Sequence, residues 1–337
     1  MKAPQGNKLA ILNYLEQAQL ATGKFISGQW LGDELEISRA AVAKHIQSLQ
    51  EMGLDIFKVS GKGYRLSNEL NLLNSKKVLN YYSSLTHCET KLEVHPVIDS
   101  TNSELMRRIQ KGDSLESGTV IVAQMQTAGR GRRGRTWQSP FGANLYYSYY
   151  WLLDDGLQAA MGLSIVVGIA IYDTLEKLFG IKVQLKWPND ILVNDKKLAG
   201  VLVELDGQPQ GPCKLVIGIG LNIKMPESYS EHIDQPWTDL SLLNQNNGVI
   251  DKNKLVAQLT HCLEIRLDEY RTEGLLNMHK EWNQLHAFQD QLVTLATGKR
   301  NWQGVCEGID AQGGIKIRQD GEVKSYFGGE ISLRKAT

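Results

Sequence analysis

The chain's 337 residues exceed the roughly 100–200 of a typical single domain, so more than one packed core is expected. With 42% hydrophobic and 22% charged residues and no low-complexity tract, the composition excludes wholesale disorder. The formal net charge is zero, which excludes whole-chain attraction to nucleic acid and leaves only a local basic surface for such contact.

Residues 8 to 20 carry Leu9, Leu12 and Leu15 at helical spacing, and Leu31 and Leu35 follow the cap candidate Ser27. Ser38 is an N-cap for a third helix, whose stripe of Val42, Ile46 and Leu49 lies opposite Arg39, Lys44 and Gln47 and which stops near Gly53. Phe57 to Val59 and Tyr64 to Leu66 flank Ser60-Gly61-Lys62-Gly63, a hairpin signal with a basic tip. Three helices and a hairpin predict a winged helix-turn-helix over residues 1–68.

From Ser75 the pattern becomes α+β. Extended segments are predicted at Thr119 to Gln124, Leu145 to Trp151, Val183 to Trp187, Ile191 to Val193, Leu198 to Leu205 and Leu215 to Ile223. Helices are predicted near 100 to 111, 158 to 179 and 251 to 273, giving a domain with a central sheet over 75–283. The longest apolar run, Ala159 to Tyr172, is about 14 residues, short of the roughly 20 that span a bilayer, and reads as a buried helix. After a helix around Trp282, short alternating strands from Gln291 to Arg334 are punctuated by Gly298, Gly304, Gly308, Gly313-Gly314 and Gly328-Gly329, a spacing that predicts a small β-barrel over 288–337. Cys88, Cys213, Cys262 and Cys306 are scattered without a C-x-x-C pair, which disfavours zinc and a disulfide framework and fits a reducing cytoplasm. The start of the chain lacks the charged and apolar pattern of a secretory signal.

The most informative segment is Gly129-Arg130-Gly131-Arg132-Arg133-Gly134-Arg135. By letters it satisfies the dinucleotide fingerprint G-x-G-x-x-G, but the following Trp137-Gln138-Ser139-Pro140-Phe141-Gly142 favours a turn and then a strand, where the fingerprint needs a helix. Glycines that permit close backbone approach, interleaved with four guanidinium groups, suit carboxylate and phosphate oxygens. A solvated basic loop or a nucleic-acid contact fits the same letters. Further motifs stand at strand ends: Asp99-Ser100-Thr101-Asn102, Lys186-Trp187-Pro188-Asn189-Asp190, Lys197-Leu198-Ala199-Gly200 and Gly218-Ile219-Gly220-Leu221-Asn222.

This ordered set resembles the biotin-protein ligases over essentially the whole chain, including the DNA-binding domain of the bifunctional subgroup that represses the biotin operon. The resemblance implies a central mixed-sheet domain like that of class II synthetases, a C-terminal SH3-like barrel, and ATP-dependent joining of biotin to a lysine of the biotin carboxyl carrier protein of acetyl-CoA carboxylase through biotinyl-5'-AMP. It also implies biotin operator DNA as partner, biotinyl-AMP as corepressor, a homodimer when adenylate is bound, and a cytoplasmic enzyme without membrane attachment.

The same resemblance places biotin against Ser100, Thr101, Asn102, Gln126, Gly129, Arg130, Gly131, Arg132, Lys197, Gly200, Gly218 and Gly220. Lys197 and Arg132 are then the catalytic pair, Arg135, Trp137, Asn189, Asp190 and Asn222 hold the nucleotide, and Asp190 helps organise Mg2+. Read alone, Lys197 is a solvated lysine of a turn, Ser100-Thr101-Asn102 is a helix cap, Gly218 and Gly220 mark a bulge as readily as a ligand approach, and Trp137 is a core residue. For DNA the resemblance implicates a helix-turn-helix over 28–47 with Gly28, Ser38, Arg39, Ala40 and Lys44. Glu36 departs from the glycine common in such turns, and a winged helix serving only protein contacts stays open. Two rival readings remain: a lipoate or octanoate ligase of the same fold, and a non-catalytic biotin-sensing repressor. No cysteine falls in the Lys197-Leu198-Ala199-Gly200 segment, and Arg132, Lys197 and Asp190 are all present.

Overall fold

The computed structural model describes residues 6–67, 71–154, 162–207, 211–244, 249–297, 300–328 and 331–335. The N-terminal unit comprises α1 (Asn7–Ala21), α2 (Gly28–Glu34), α3 (Arg39–Glu51) and the hairpin of β1 (Ile56–Val59) and β2 (Gly63–Leu66). Two serines set its helix starts: Ser27 Oγ accepts from the Trp30 amide at 3.0 Å and Ser38 Oγ from the Ala41 amide at 3.1 Å, satisfying donors that have no partner within the helix. Ile11, Leu12, Leu15, Leu31, Val42, Ile46 and Leu49 form its core, joined by Met125 and Phe141 from the following domain.

The central domain follows through α4 (Ser75–Ser83), β3 (Leu92–His95), α5 (Thr101–Lys111), β4 (Val120–Ala123), β5 (Asn144–Leu153), α6 (Leu163–Phe179), β6 (Gln184–Lys186), β7 (Asp190–Val193), β8 (Lys196–Gly207), β9 (Cys213–Asn222), α7 (Leu240–Leu243), α8 (Lys252–Glu273) and α9 (Met278–Gln284). Residues 158–161 of the expected 158–179 helix lie outside the described residues, as do Gly298 and Gly329. The seven strands run in the order β3-β4-β5-β9-β8-β7-β6, parallel between β3 and β4 and antiparallel elsewhere. Period-2 alternation divides them between two faces. Val120, Val122, Tyr147 and Ile217 face the α6 and α8 side, while Ile121, Tyr150 and Val216 pack under Leu105 and Ile109 of α5.

The last strands, β10 (Leu292–Thr297), β11 (Arg300–Ile309), β12 (Ile315–Gln319), β13 (Glu322–Tyr326) and β14 (Ile331–Lys335), form an antiparallel sheet in the order β13-β12-β11-β10-β14. Among the described residues no ladder joins β13 to β14, so the expected barrel stands here as an open five-stranded sheet. Its inner residues Val293, Leu295, Cys306 and Ile317 join the central core.

Candidate functional site

A cavity of about 520 Å3 is walled by the start of α5, the 129–137 loop, the β6–β7 turn, β8, β9 and β14. Arg130, Arg132, Arg133, Arg135, Lys186, Lys197, Arg334 and Lys335 line it against only Asp190, Asp195 and Asp234, so the wall is built for anions. At its centre Lys197 Nζ lies 2.6 Å from Asp190 Oδ1, with the side chains 15% and 17% exposed. Lys186 Nζ is 3.8 Å from the other oxygen of Asp190. Burial, with Lys197 close by, pulls the Lys186 pKa below the ordinary lysine range despite Asp190. Arg132 donates to Asn189 Oδ1 at 3.0 Å, and Asn189 is itself fixed by donating to Val201 O at 2.6 Å. Burial, helped by Arg133, lowers the Arg132 pKa, with Asp190 opposing.

The arginine-glycine loop closes on itself. Gly131 N donates to Arg135 O at 2.7 Å and Trp137 N to Gly129 O at 2.9 Å, and a three-residue 3-10 turn spans Arg132–Gly134. The strand that follows it, β5, agrees with the absence of a nucleotide-fingerprint helix. Gly129 is outside the lining: a Cβ there would meet Ser139 Oγ and Trp137 O, so this glycine serves the loop's own packing.

Trp137 accounts for two other glycines. A Cβ at Gly220 would overlap its indole and one at Gly200 would stand 3.3 Å from it, while Lys197 Nζ is 5.4 Å from a Trp137 ring centroid. Gly218 likewise makes room for a side chain of this chain, Asn102. Within the protein itself the close approaches at Gly220 and Gly218 are made by Trp137 and Asn102, and both glycines also line the cavity. Asn222, also outside the lining, backs the wall by donating to Thr238 O at 3.0 Å.

The polar end of the cavity is the N-terminus of α5. Ser100 Oγ caps the Ser103 amide, so the cap and lining roles coexist in Ser100-Thr101-Asn102. Thr101 N donates to Gln126 Oε1 at 2.9 Å, Gln126 Nε2 to Ser139 Oγ at 3.1 Å, and Ser139 to Trp137 O at 2.9 Å. Sequence reasoning missed Arg334 and Lys335, whose signal was only a basic end on a late strand, and Glu204, which pairs with Arg130 at 2.7 Å.

In the N-terminal unit Ser38, Arg39, Ala40 and Lys44 are exposed along the first turns of α3, and Lys58 and Lys62 are exposed on the hairpin. Gly28, expected at the DNA surface, is instead buried under Tyr64 and supports the motif from within. Glu36 adopts φ 53° in the turn, doing with a side chain what glycine does elsewhere.

Residues 94–222 match the biotin/lipoate A/B protein ligase family, and residues 10–65 match an HTH domain. The bifunctional ligase/repressor BirA of Escherichia coli (strain K12) is 45% identical over 320 residues, which cover 95% of this chain and 96% of that one. The chain belongs to the bifunctional ligase/repressor family. A biotin--[acetyl-CoA-carboxylase] ligase of Mycobacterium tuberculosis is 30% identical over 253 residues, covering 72% of this chain and 88% of its own. The solved biotin protein ligase from Aquifex aeolicus in complex with biotin and ATP superposes with a TM-score of 0.63 at 28% identity, covering 74% of this chain and 100% of that one. The two matched segments correspond to the helix-turn-helix unit and to the larger part of the central domain, from β3 to β9.

Proposed function

We propose that the cavity condenses biotin with ATP and passes the biotinyl group to a lysine of a biotin carboxyl carrier protein. The observation that carries this is the Asp190–Lys197 pair beside Arg132 in a cation-rich cavity whose far end presents Thr101 and Gln126. In the first step a carboxylate oxygen of biotin attacks the α-phosphorus and the bond to the β-phosphate breaks, so pyrophosphate leaves. Two anions meet in that step, and fixed cations offset the charge that builds. Lys197 and Arg132 are the catalytic residues, each held by a neighbour that leaves it little freedom. In the second step the amine of the acceptor lysine attacks the acyl carbon and the C–O bond to AMP breaks, which needs no protein nucleophile.

The neutral ring of biotin suits Thr101 and Gln126, whereas Arg135, Trp137 and Asn189 are our candidates for the adenylate end. Asn102, Gly218 and Gly220 line the biotin end of the cavity, while Gly129 and Asn222 act from behind by shaping the loop and the sheet. Asp190 does not fit a resident metal site. Its carboxylate is already engaged by Lys197 and Lys186, and among the described residues no cluster of three or more metal-ligating side chains occurs. Magnesium enters our reading only as part of the substrate MgATP.

In the other half Ser38, Arg39, Ala40 and Lys44 read operator DNA, with a homodimer matching a palindrome and biotinyl-AMP as corepressor. Cys88, Cys213, Cys262 and Cys306 are all unpaired, which supports a cytoplasmic location. The test is incubation with biotin, MgATP and a biotin carboxyl carrier domain, with lipoate in parallel, followed by intact mass. A biotin-sized gain is expected. A gain with lipoate alone moves the substrate to lipoate, and no gain with either acid overturns the ligase reading in favour of a sensor-repressor.

A further inference from the structure

Glu204, near the solvent end of β8, anchors a chain of hydrogen bonds that runs under the cavity. Its Oε2 accepts from Arg130 at 2.7 Å and from Asn102 Nδ2 at 2.9 Å, and the same Nδ2 reaches Leu202 O at 3.2 Å. Asn102 Oδ1 is 2.5 Å from Ser148 Oγ, which is 2.7 Å from Thr101 Oγ1. Ser148 and Asn102 are buried, and Gly218, paired with Ser148 across β5 and β9, leaves the space that Asn102 fills.

Proton accounting gives this chain one direction. A carboxylate held by a guanidinium only accepts, so Asn102 must turn its NH2 towards Glu204 and its oxygen towards Ser148. Ser148 has one proton, and it goes to that oxygen. The Thr101 hydroxyl, which cannot then take the Ser148 proton, donates to Ser148 Oγ at 2.7 Å or to Gln126 Oε1 at 3.2 Å, an amide oxygen whose two lone pairs can also take the Thr101 amide. Thr101 Oγ1 is left with lone pairs only for the cavity it lines. We infer that Glu204 is a positioning residue which, through Asn102 and Ser148, fixes Thr101 as a hydrogen-bond acceptor and so selects a ligand with a ring N–H, as in a cyclic urea. The inference rests on the biotin reading of the cavity. A glutamine at 204 loosens the choice, because its amide can donate to a flipped Asn102 in competition with Leu202 O, which favours the unflipped amide, and where the flip occurs the chain reverses until Thr101 donates.

The experiment measures Kd by calorimetry, without ATP, for biotin and for its two cyclic-carbamate analogues, in each of which one ring N–H is replaced by oxygen. In the full-length wild type at least one analogue is expected to bind about tenfold or more weakly than biotin, the size of one lost hydrogen bond with its acceptor left facing a lone pair. In Glu204→Gln and independently in Ser148→Ala that ratio shrinks towards one. Because each variant is compared with itself, a general loss of affinity from a loosened Arg130 cancels, and Ser148→Ala carries the test if the first variant fails to fold. A wild type that does not discriminate, or ratios unchanged in folded variants, overturns the inference while leaving the ligase reading intact. No binding of biotin by the wild type overturns the reading beneath it.

Discussion

Lys252 opens α8 at the seam with the N-terminal unit and is 2% exposed. Its Nζ donates to Gly142 O at 2.7 Å, and burial pulls its pKa from 10.5 down to about 8, with Glu16 of α1 acting in the opposite direction. Between about pH 8 and 10.5 the unfolded chain therefore holds a proton that the folded chain has released. The contribution of Lys252 to stability climbs with pH through that window and is level on either side of it. The gap corresponds to about 3 kcal/mol. Lys252→Met removes the charge and also the bond to Gly142 O, a loss of about 1 kcal/mol. The variant should accordingly be more stable than wild type by about 2 kcal/mol at neutral pH and less stable by about 1 kcal/mol above the window, the two curves crossing between. Urea midpoints and slopes for both proteins at several values from neutral to alkaline pH check this. A stability difference that stays constant across the series refutes the assignment of the shift to this ammonium.

Replacing Asp190 by Asn leaves Lys197 without its 2.6 Å partner and Lys186 facing another cation, and should slow biotin-dependent pyrophosphate release about 100-fold, the effect of misplacing one charge-stabilising group. A change below about threefold would show that the pair does not set the geometry of adenylation. Gly220→Ala puts a methyl where the Trp137 indole lies, so tryptophan emission should shift and biotin affinity fall; a spectrum identical to wild type would contradict this packing. Glu36→Gly relieves a side chain at φ 53°, and the melting of the N-terminal unit should rise by an amount worth up to about 1 kcal/mol with operator binding retained.

What was legible in the sequence follows from what is local. Ser27 and Ser38 marked helix starts because a cap is made within three residues, and strands buried on both faces betrayed themselves as apolar runs such as Leu215 to Ile223. β3 escaped because Leu92-Glu93-Val94-His95 is a four-residue edge strand in which no residue is fully buried. α4 escaped because its apolar signal reduces to Val78 and Tyr82, four apart. In the site, the cationic loop, Lys197 and Asp190 were legible as residue types in short motifs. Glu204 was not, since its partners Arg130 and Asn102 are brought to it only by the pairing of β8 and β9 over α5. The same holds for Gly218 and Gly220: spacing revealed a close approach, but only the folded chain shows that Asn102 and Trp137 make it.

Phe141 belongs to the core of the N-terminal unit, yet stands four positions after Trp137, which lies in the cavity. A substitution that reshapes the repressor's interior therefore pulls on the stretch that ends the arginine-glycine loop, and one that alters that stretch disturbs the repressor. Such a chain cannot drift freely in either trade. Descendants that shed the helix-turn-helix would have to acquire a new cover for Met125 and Phe141, and grafting this ligase domain alone onto another scaffold would carry the same debt.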